Sequence, residues 1–230
     1  MTIEQKKLYL AYLSKLQEET KQDLANDGFQ KGRIRILAGL TRLRQICCHP
    51  ALCVENYQGE SGKLALLMEL VDEYLNANQR ILIFSQFTSM LHLISEALKK
   101  QNRDFFYLDG QTPAKERLAL CQRFNEGNTP IFLISLKAGG TGLNLTGADT
   151  VILYDLWWNP AVEQQATDRA HRIGQKRTVQ VIRMVTKGTI EEKIHQLQEH
   201  KRDLIDQVVQ ANNQGLGALT EEDVRALLMI

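Results

Sequence analysis

The chain holds 230 residues, 28 Lys plus Arg against 27 Asp plus Glu, and 43% hydrophobic residues, enough length and apolar content to bury a real core. A formal net charge of +1 excludes a uniformly basic nucleic-acid coat or an acidic tail as the organising feature, so any phosphate-binding surface has to be local. No apolar run approaches the roughly 18 residues that span a bilayer, and the polar residues 1–7 do not read as a signal sequence, so a soluble, non-secreted protein with no membrane partner is expected.

In chain order, residues 2–24 and 33–46 are predicted helices. Leu8, Tyr12 and Leu16 recur at four-residue spacing in the first, and Ile36, Leu40 and Leu43 share one face of the second. Asn26, Asp27, Gly28 and Gly32 mark a loop between them. The second helix runs into Cys47, Cys48, His49 and, after Pro50, Cys53. Thiolates and imidazoles are zinc ligands, but adjacent cysteines rarely reach one tetrahedral ion and no second pair completes a set. Buried small side chains at a helix end stopped by Pro50 are expected, with no metal. With Cys121 the chain has four cysteines, too few and too clustered for a disulfide scaffold, as in a reducing compartment. A polar loop through Gly59 leads to a third helix over 63–76, with Ser61 as its N-cap.

From Arg80 the pattern changes. Short β-branched or aromatic runs over 81–85, 105–109, 131–135, 151–155 and 179–185 are separated by helical periodicity over 89–100, 114–125 and 161–171. Apolar runs without polar alternation, interleaved with helices, predict an α/β fold: a parallel sheet covered on both faces. Such sheets bind ligands beyond the carboxyl ends of their strands, where Ser85, Gln86, Asp109, Ser135 and Asp155 fall. An amphipathic helix over 189–209, an Asn/Gly-rich loop and a short helix over 221–229 finish the chain, the last with acids after Thr220 where the helix dipole favours them.

The chemistry begins with an absence. Gly62-Lys63 is followed by Leu64, and Tyr57 stands where a Walker loop needs its first glycine. A dinucleotide fingerprint and an acidic pair for magnesium at a strand end are missing as well. Residues 163–187 instead carry six bases and two acids, whereas 188–230 carry four bases and eight acids, so the near-neutral total is a cancellation. Arg169 and Arg172, with Gln165 four residues before Arg169, are placed on one side of the predicted helix. Two guanidiniums on a rigid element can approach a polyphosphate together, and an arginine on developing phosphoryl charge is worth on the order of 10³ to 10⁵ in rate. An ion pair with Asp168 or the acidic tail is the alternative. Directly after the 131–135 strand come Ser135, Lys137, Gly139, Gly140, Thr141, Gly142 and Asn144. Glycines let backbone amides approach an anion and the other side chains add donors; a tight strand-to-helix turn is the competing reading. Trp157 and Trp158 end the next strand, one expected in the core and one on the surface as a stacking platform.

Together these segments resemble the second motor lobe of the Swi/Snf family of DNA-translocating ATPases, within the superfamily-two helicases. Gln165-Ala-Thr-Asp168-Arg169-Ala-His171-Arg172-Ile-Gly174-Gln175 is similar to helicase motif VI. Ile81 to Phe87 resembles motif IV, Ser135 to Leu145 motif V, and Asp155 to Pro160 the segment between motifs V and VI. Leu43 to Pro50, Asp109-Gly110 with Arg117 and Phe124, and Lys187 to Ile194 also match.

The resemblance implies a RecA-like lobe at 61–188, a helical linker or protrusion at 1–60 and a helical C-terminal extension with a bracing helix at 189–230. It implies an ATP hydrolase whose ATP and Mg²⁺ are bound mainly by a first RecA-like lobe lying outside this chain. Gln165, Gly140, Arg169 and Arg172 would face that ATP, the two arginines as catalytic fingers. Ser85, Gln86, Ser135, Lys137, Thr141, Asn144 and Trp158 would grip double-stranded DNA. The chain alone would be an inactive monomer, and the whole protein would be cytoplasmic and nucleoid-associated in a bacterium or archaeon, nuclear in a eukaryote. A stand-alone, non-catalytic module that binds nucleic acid or regulates a partner ATPase is the competing class.

Overall fold

A computed structural model describes residues 1–26, 28–139, 143–158, 160–170, 178–207 and 219–230. They divide into two compact units, Met1–Lys63 with Val185–Ile230, and Leu64–Met184.

The second unit is built on five parallel strands, β1 (Ile81–Ser85), β2 (Phe105–Leu108), β3 (Ile131–Ser135), β4 (Thr150–Leu153) and β5 (Gln180–Arg183), in the order β2-β3-β1-β4-β5. Every residue of β1, β3 and β4 is buried, whereas the edge strands β2 and β5 are partly exposed. That contrast explains why the central runs do not alternate in polarity: helices cover the sheet, leaving no wet face to encode. The flanking helices are α3 (Gly62–Asn76), α4 (Thr88–Lys100), α5 (Ala114–Glu126), the single turn α6 (Leu136–Gly139) and α7 (Pro160–Thr167). Leu82, Phe84, Phe124, Phe132, Val151, Leu153 and Ala166 join one buried cluster. Phe124 of α5 lies 5.3 Å, ring to ring, from Phe132 of β3, and such aromatic contacts add to plain area burial.

In the other unit, α1 (Ile3–Asn26) and α2 (Gly28–Cys48) form a hairpin. Gly28 has φ +75°, a left-handed conformation that glycine adopts without strain. The predicted loop is shorter than expected, because Gly32 lies inside α2 and Asp27 falls outside the described residues. Packing accounts for the glycines in α2. A Cβ at Gly39 would lie 2.2 Å from Leu16 Cδ1, and one at Gly32 would lie 3.0 Å from Asp23 Cβ, so side chains there would push the hairpin apart.

The chain ends return to this unit as α8 (Ile190–Gln207) and α9 (Glu221–Leu228). The Tyr9 hydroxyl accepts from Ile190 N–H at 2.7 Å, and Gln17 Nε2 donates to the Leu228 carbonyl at 2.7 Å. Thr220 and Asp223 close a reciprocal capping box on α9. Lys63 Nζ reaches Glu191 Oε1 at 2.6 Å, and the two side chains are only 5% and 1% exposed. Thr186 N–H donates to the same carboxylate at 2.8 Å. Burial acts to depress the Lys63 ammonium, but the Glu191 carboxylate together with the nearby Cys48 and Cys47 outweighs it and holds the pKa above the ordinary lysine value. Cys47 and Cys48 are fully buried, and burial pushes the Cys47 thiol up. Among the described residues no group of three His, Cys, Asp or Glu side chains is placed to hold a metal ion.

Candidate functional site

The site is assembled at the carboxyl ends of β1, β3 and β4, three neighbours in the sheet. Register places Ser85 beside Ser135. The chain leaving β4 stays against β1 for one more step, with Tyr154 N–H donating to the Phe84 carbonyl at 2.9 Å, and this brings Asp155 to the end of β1. The Asp155 carboxylate, 1% exposed, accepts from Ser85 Oγ and from Gln86 N–H at 3.2 Å. Ser85 Oγ in turn accepts from Phe87 N–H at 3.1 Å. A buried carboxylate satisfied this way fixes the start of the loop after β1, since leaving any of these groups unpaired is costly.

The two serines are buried and turned to structural use: Ser135 Oγ accepts from Ala138 N–H at 3.2 Å and starts α6. Lys137 and Asn144 are exposed on either side of the glycine run. Gly140 and Thr141 lie outside the described residues, as does Arg172. Gln86 Nε2 is enclosed and has no hydrogen-bond partner among the described residues, so the end of β1 holds an unused donor.

Trp157 and Trp158 are both half-buried, a more even division than one core and one surface ring. Their segment is held by Glu163 of α7, which is fully buried. Its Oε1 accepts from Trp157 N–H at 2.9 Å and its Oε2 from Arg183 Nε of β5 at 3.2 Å. The end of α7 departs from the expected continuous helix. Beyond Thr167 the backbone tightens into a turn, with Arg169 N–H bonded to the Ala166 carbonyl at 3.3 Å and Ala170 N–H to that of Thr167 at 3.1 Å, the i→i+3 pattern common at helix ends. Gln165 is consequently exposed while Arg169 is 4% exposed. The Arg169 carbonyl accepts from Leu145 N–H at 3.0 Å, which ties the segment after the glycine run to the segment carrying the arginine.

One sheet edge thus gathers the loop after β1, the glycine-flanked loop after β3, the tryptophan segment after β4 and the arginine turn after α7. Sequence reasoning singled out all four but missed Asp155 and Glu163 as the carboxylates that hold them. Asp155 was visible as a polar residue ending an apolar run; Glu163 had no signal beyond its charge.

A parallel five-stranded sheet with these loops at its carboxyl edge defines a RecA-like helicase lobe. Residues 62–174 match the helicase conserved C-terminal domain. A solved Sulfolobus solfataricus SWI2/SNF2 ATPase C-terminal domain is 33% identical at TM-score 0.75, over 99% of this chain and 93% of that one. The Sulfolobus solfataricus SWI2/SNF2 ATPase core in complex with dsDNA gives 34% and 0.78, over 99% of this chain and 48% of that one. Among curated relatives, Bacillus subtilis YwqA, named as an ATP-dependent helicase/translocase, is 48% identical over 77% of this chain and 20% of its own length. The mouse SWI/SNF-related matrix-associated actin-dependent regulator of chromatin subfamily A member 1 is 41% identical over 89% of this chain and 21% of its own. The chain belongs to the Swi/Snf family of ATP-dependent helicases, as the C-terminal lobe of the ATPase core. It spans about a fifth of the length of the curated relatives it matches. Among the described residues no helix is long and apolar enough to cross a membrane.

Proposed function

We propose that this chain is the second motor lobe of an ATP-dependent double-stranded DNA translocase, working against a first RecA-like lobe of the same longer protein. ATP and Mg²⁺ are held mainly by that first lobe. Gln165, Gly140 and Arg172 face the nucleotide, Arg172 acting on the phosphoryl charge that develops during hydrolysis, and Arg169, buried in this chain, completes the nucleotide side by positioning that segment. Lys137, Asn144, Thr141, Gln86 and Trp158 contact the DNA. Ser85 and Ser135 contribute by setting the loops from which those contacts are made.

The observation that carries this reading is the bond between Leu145 N–H and the Arg169 carbonyl. It links the segment after the loop assigned to DNA with the turn assigned to ATP, as coupling between the two ligands requires. The sequence supports placing the triphosphate elsewhere, since Gly62-Lys63-Leu64 lacks the hydroxyl residue a Walker loop requires. The names of the relatives and the DNA-bound solved structure support ATP and duplex DNA as ligands.

Steady-state ATP hydrolysis tests it. The full-length protein is expected to turn over ATP faster with duplex DNA than with RNA, and the 230-residue chain alone to show negligible turnover with either. Robust DNA-stimulated hydrolysis by the isolated chain overturns the two-lobe reading.

A further inference from the structure

Positive charge is also concentrated in the helical unit. Helix α2 carries five bases, Lys31, Arg33, Arg35, Arg42 and Arg44, and no acid. Arg44 is buried, but Lys31, Arg35 and Arg42 are exposed. They follow one another at spacings of four and seven residues, which aligns them on one face over about 16 Å of helix.

Between Arg35 and Arg42 the surface is concave. Beside the two arginines, Ala38 and Gly39 of α2 and Tyr12, Lys15, Leu16 and Glu19 of α1 line this open groove of about 390 Å³. Both guanidiniums are held in place without being used up. Arg35 donates to Asp23 Oδ1 at 2.7 Å while its side chain stays 67% exposed. Arg42 donates to the Cys53 carbonyl at 3.1 Å. A guanidinium has five N–H donors in a fixed fork, so each keeps donors for an anion after its anchoring bond. Asp23 and Glu19 offset part of the charge, but Glu19 forms only an exposed i,i+4 pair with Lys15 at 3.7 Å, an interaction of little strength.

We propose that this α1–α2 groove is a second nucleic-acid contact, in which Arg35, Arg42 and Lys15 take consecutive phosphates of a DNA strand. The proposal rests on the DNA-translocase reading above. Its chemistry is that of backbone recognition, the anchored guanidinium forks meeting phosphate oxygens. An acidic peptide is the other occupant of opposite charge. The stripe favours a polyanion of regular spacing, because its cations extend along the helix and do not converge on one point.

The test measures duplex DNA affinity of the full-length protein by fluorescence anisotropy across a KCl series. The variants are Arg35→Gln/Arg42→Gln, Lys15→Gln and, as a control at the sheet edge, Lys137→Gln. Each lost phosphate contact lowers the slope of log K against log salt by about 0.9. The double variant is expected to lose between one and two units of slope and to bind several-fold more weakly at low salt, with the difference shrinking at high salt. Lys15→Gln, which removes no buried partner, is expected to lose up to one unit, so a folding defect in the double variant leaves a readout. Unchanged slopes in both groove variants, with Lys137→Gln weakened, overturn the groove while sparing the sheet-edge reading. Absence of duplex binding by the wild type overturns both. Loss of binding to an acidic peptide with DNA binding intact assigns the groove to a protein ligand and rejects the proposal.

Discussion

In the sheet unit, the buried carboxylates Asp155 and Glu163 hold backbone N–H groups of the segments that follow β1 and β4. In the helical unit, the buried carboxylate Glu191 is matched by an equally buried ammonium, Lys63, 128 residues away in the chain. The first arrangement spends charge on placing loops locally; the second spends it on joining distant segments. The difference predicts different consequences of mutation. Damage to the sheet-edge carboxylates should appear mainly as loss of function with moderate loss of stability, and damage to the pair mainly as unfolding.

The largest stability effect is expected at Lys63. Lys63→Met leaves Glu191 buried without its counter-charge, a class of change that costs about 3–5 kcal/mol. Lys63→Met/Glu191→Leu should recover much of that in a urea melt, because removing both charges also removes their desolvation. A single variant no less stable than the double contradicts the buried-pair account. Next comes Asp155→Ala, which removes the charged acceptor shared by the Ser85 hydroxyl and Gln86 N–H. Bonds to a charged acceptor contribute about 1.5–3 kcal/mol, and DNA-stimulated turnover should fall further than stability alone explains. Equal loss of basal and stimulated turnover would reduce Asp155 to a packing role.

The smallest effect concerns pH. His49 Nδ1 accepts from Ala51 N–H at 3.1 Å, and burial holds its pKa below the ordinary histidine value. The unfolded chain therefore takes up this proton more readily than the folded one. The contribution is present above the ordinary histidine pKa and is lost as pH falls from there through the depressed folded value. His49→Asn keeps an acceptor but cannot titrate, so the fall in Tm between pH 7 and pH 5 should be smaller in the variant than in the wild type. Identical pH profiles would remove His49 from the linkage.

The same contrast explains how much could be read before the structure. The strands were legible because Ile81–Ser85 and Ile131–Ser135 are unbroken apolar runs ended by serine, a pattern created by burial on both faces. The loops at their ends were legible through residue type: glycines, arginines and tryptophans have few reasons to cluster. Contacts between distant residues were not. Nothing local joins Lys63 to Glu191, and Gly32 reads as a loop residue until Asp23 is seen against it. The end of α7 was missed because 161–171 keeps helical periodicity through a turn that only the i→i+3 bonds reveal. Periodicity reports which side chains face inward; it is silent on where the hydrogen-bond ladder tightens.

The central claim is that the arginine segment after α7 acts on ATP bound by another lobe, and Arg172→Ala in the full-length protein tests it most directly. Single-turnover hydrolysis with saturating duplex DNA should fall by on the order of 10³ or more, while equilibrium binding of a nucleotide analogue stays within a few-fold of wild type. Near-normal hydrolysis by that variant would contradict the finger assignment and, with it, the two-lobe mechanism.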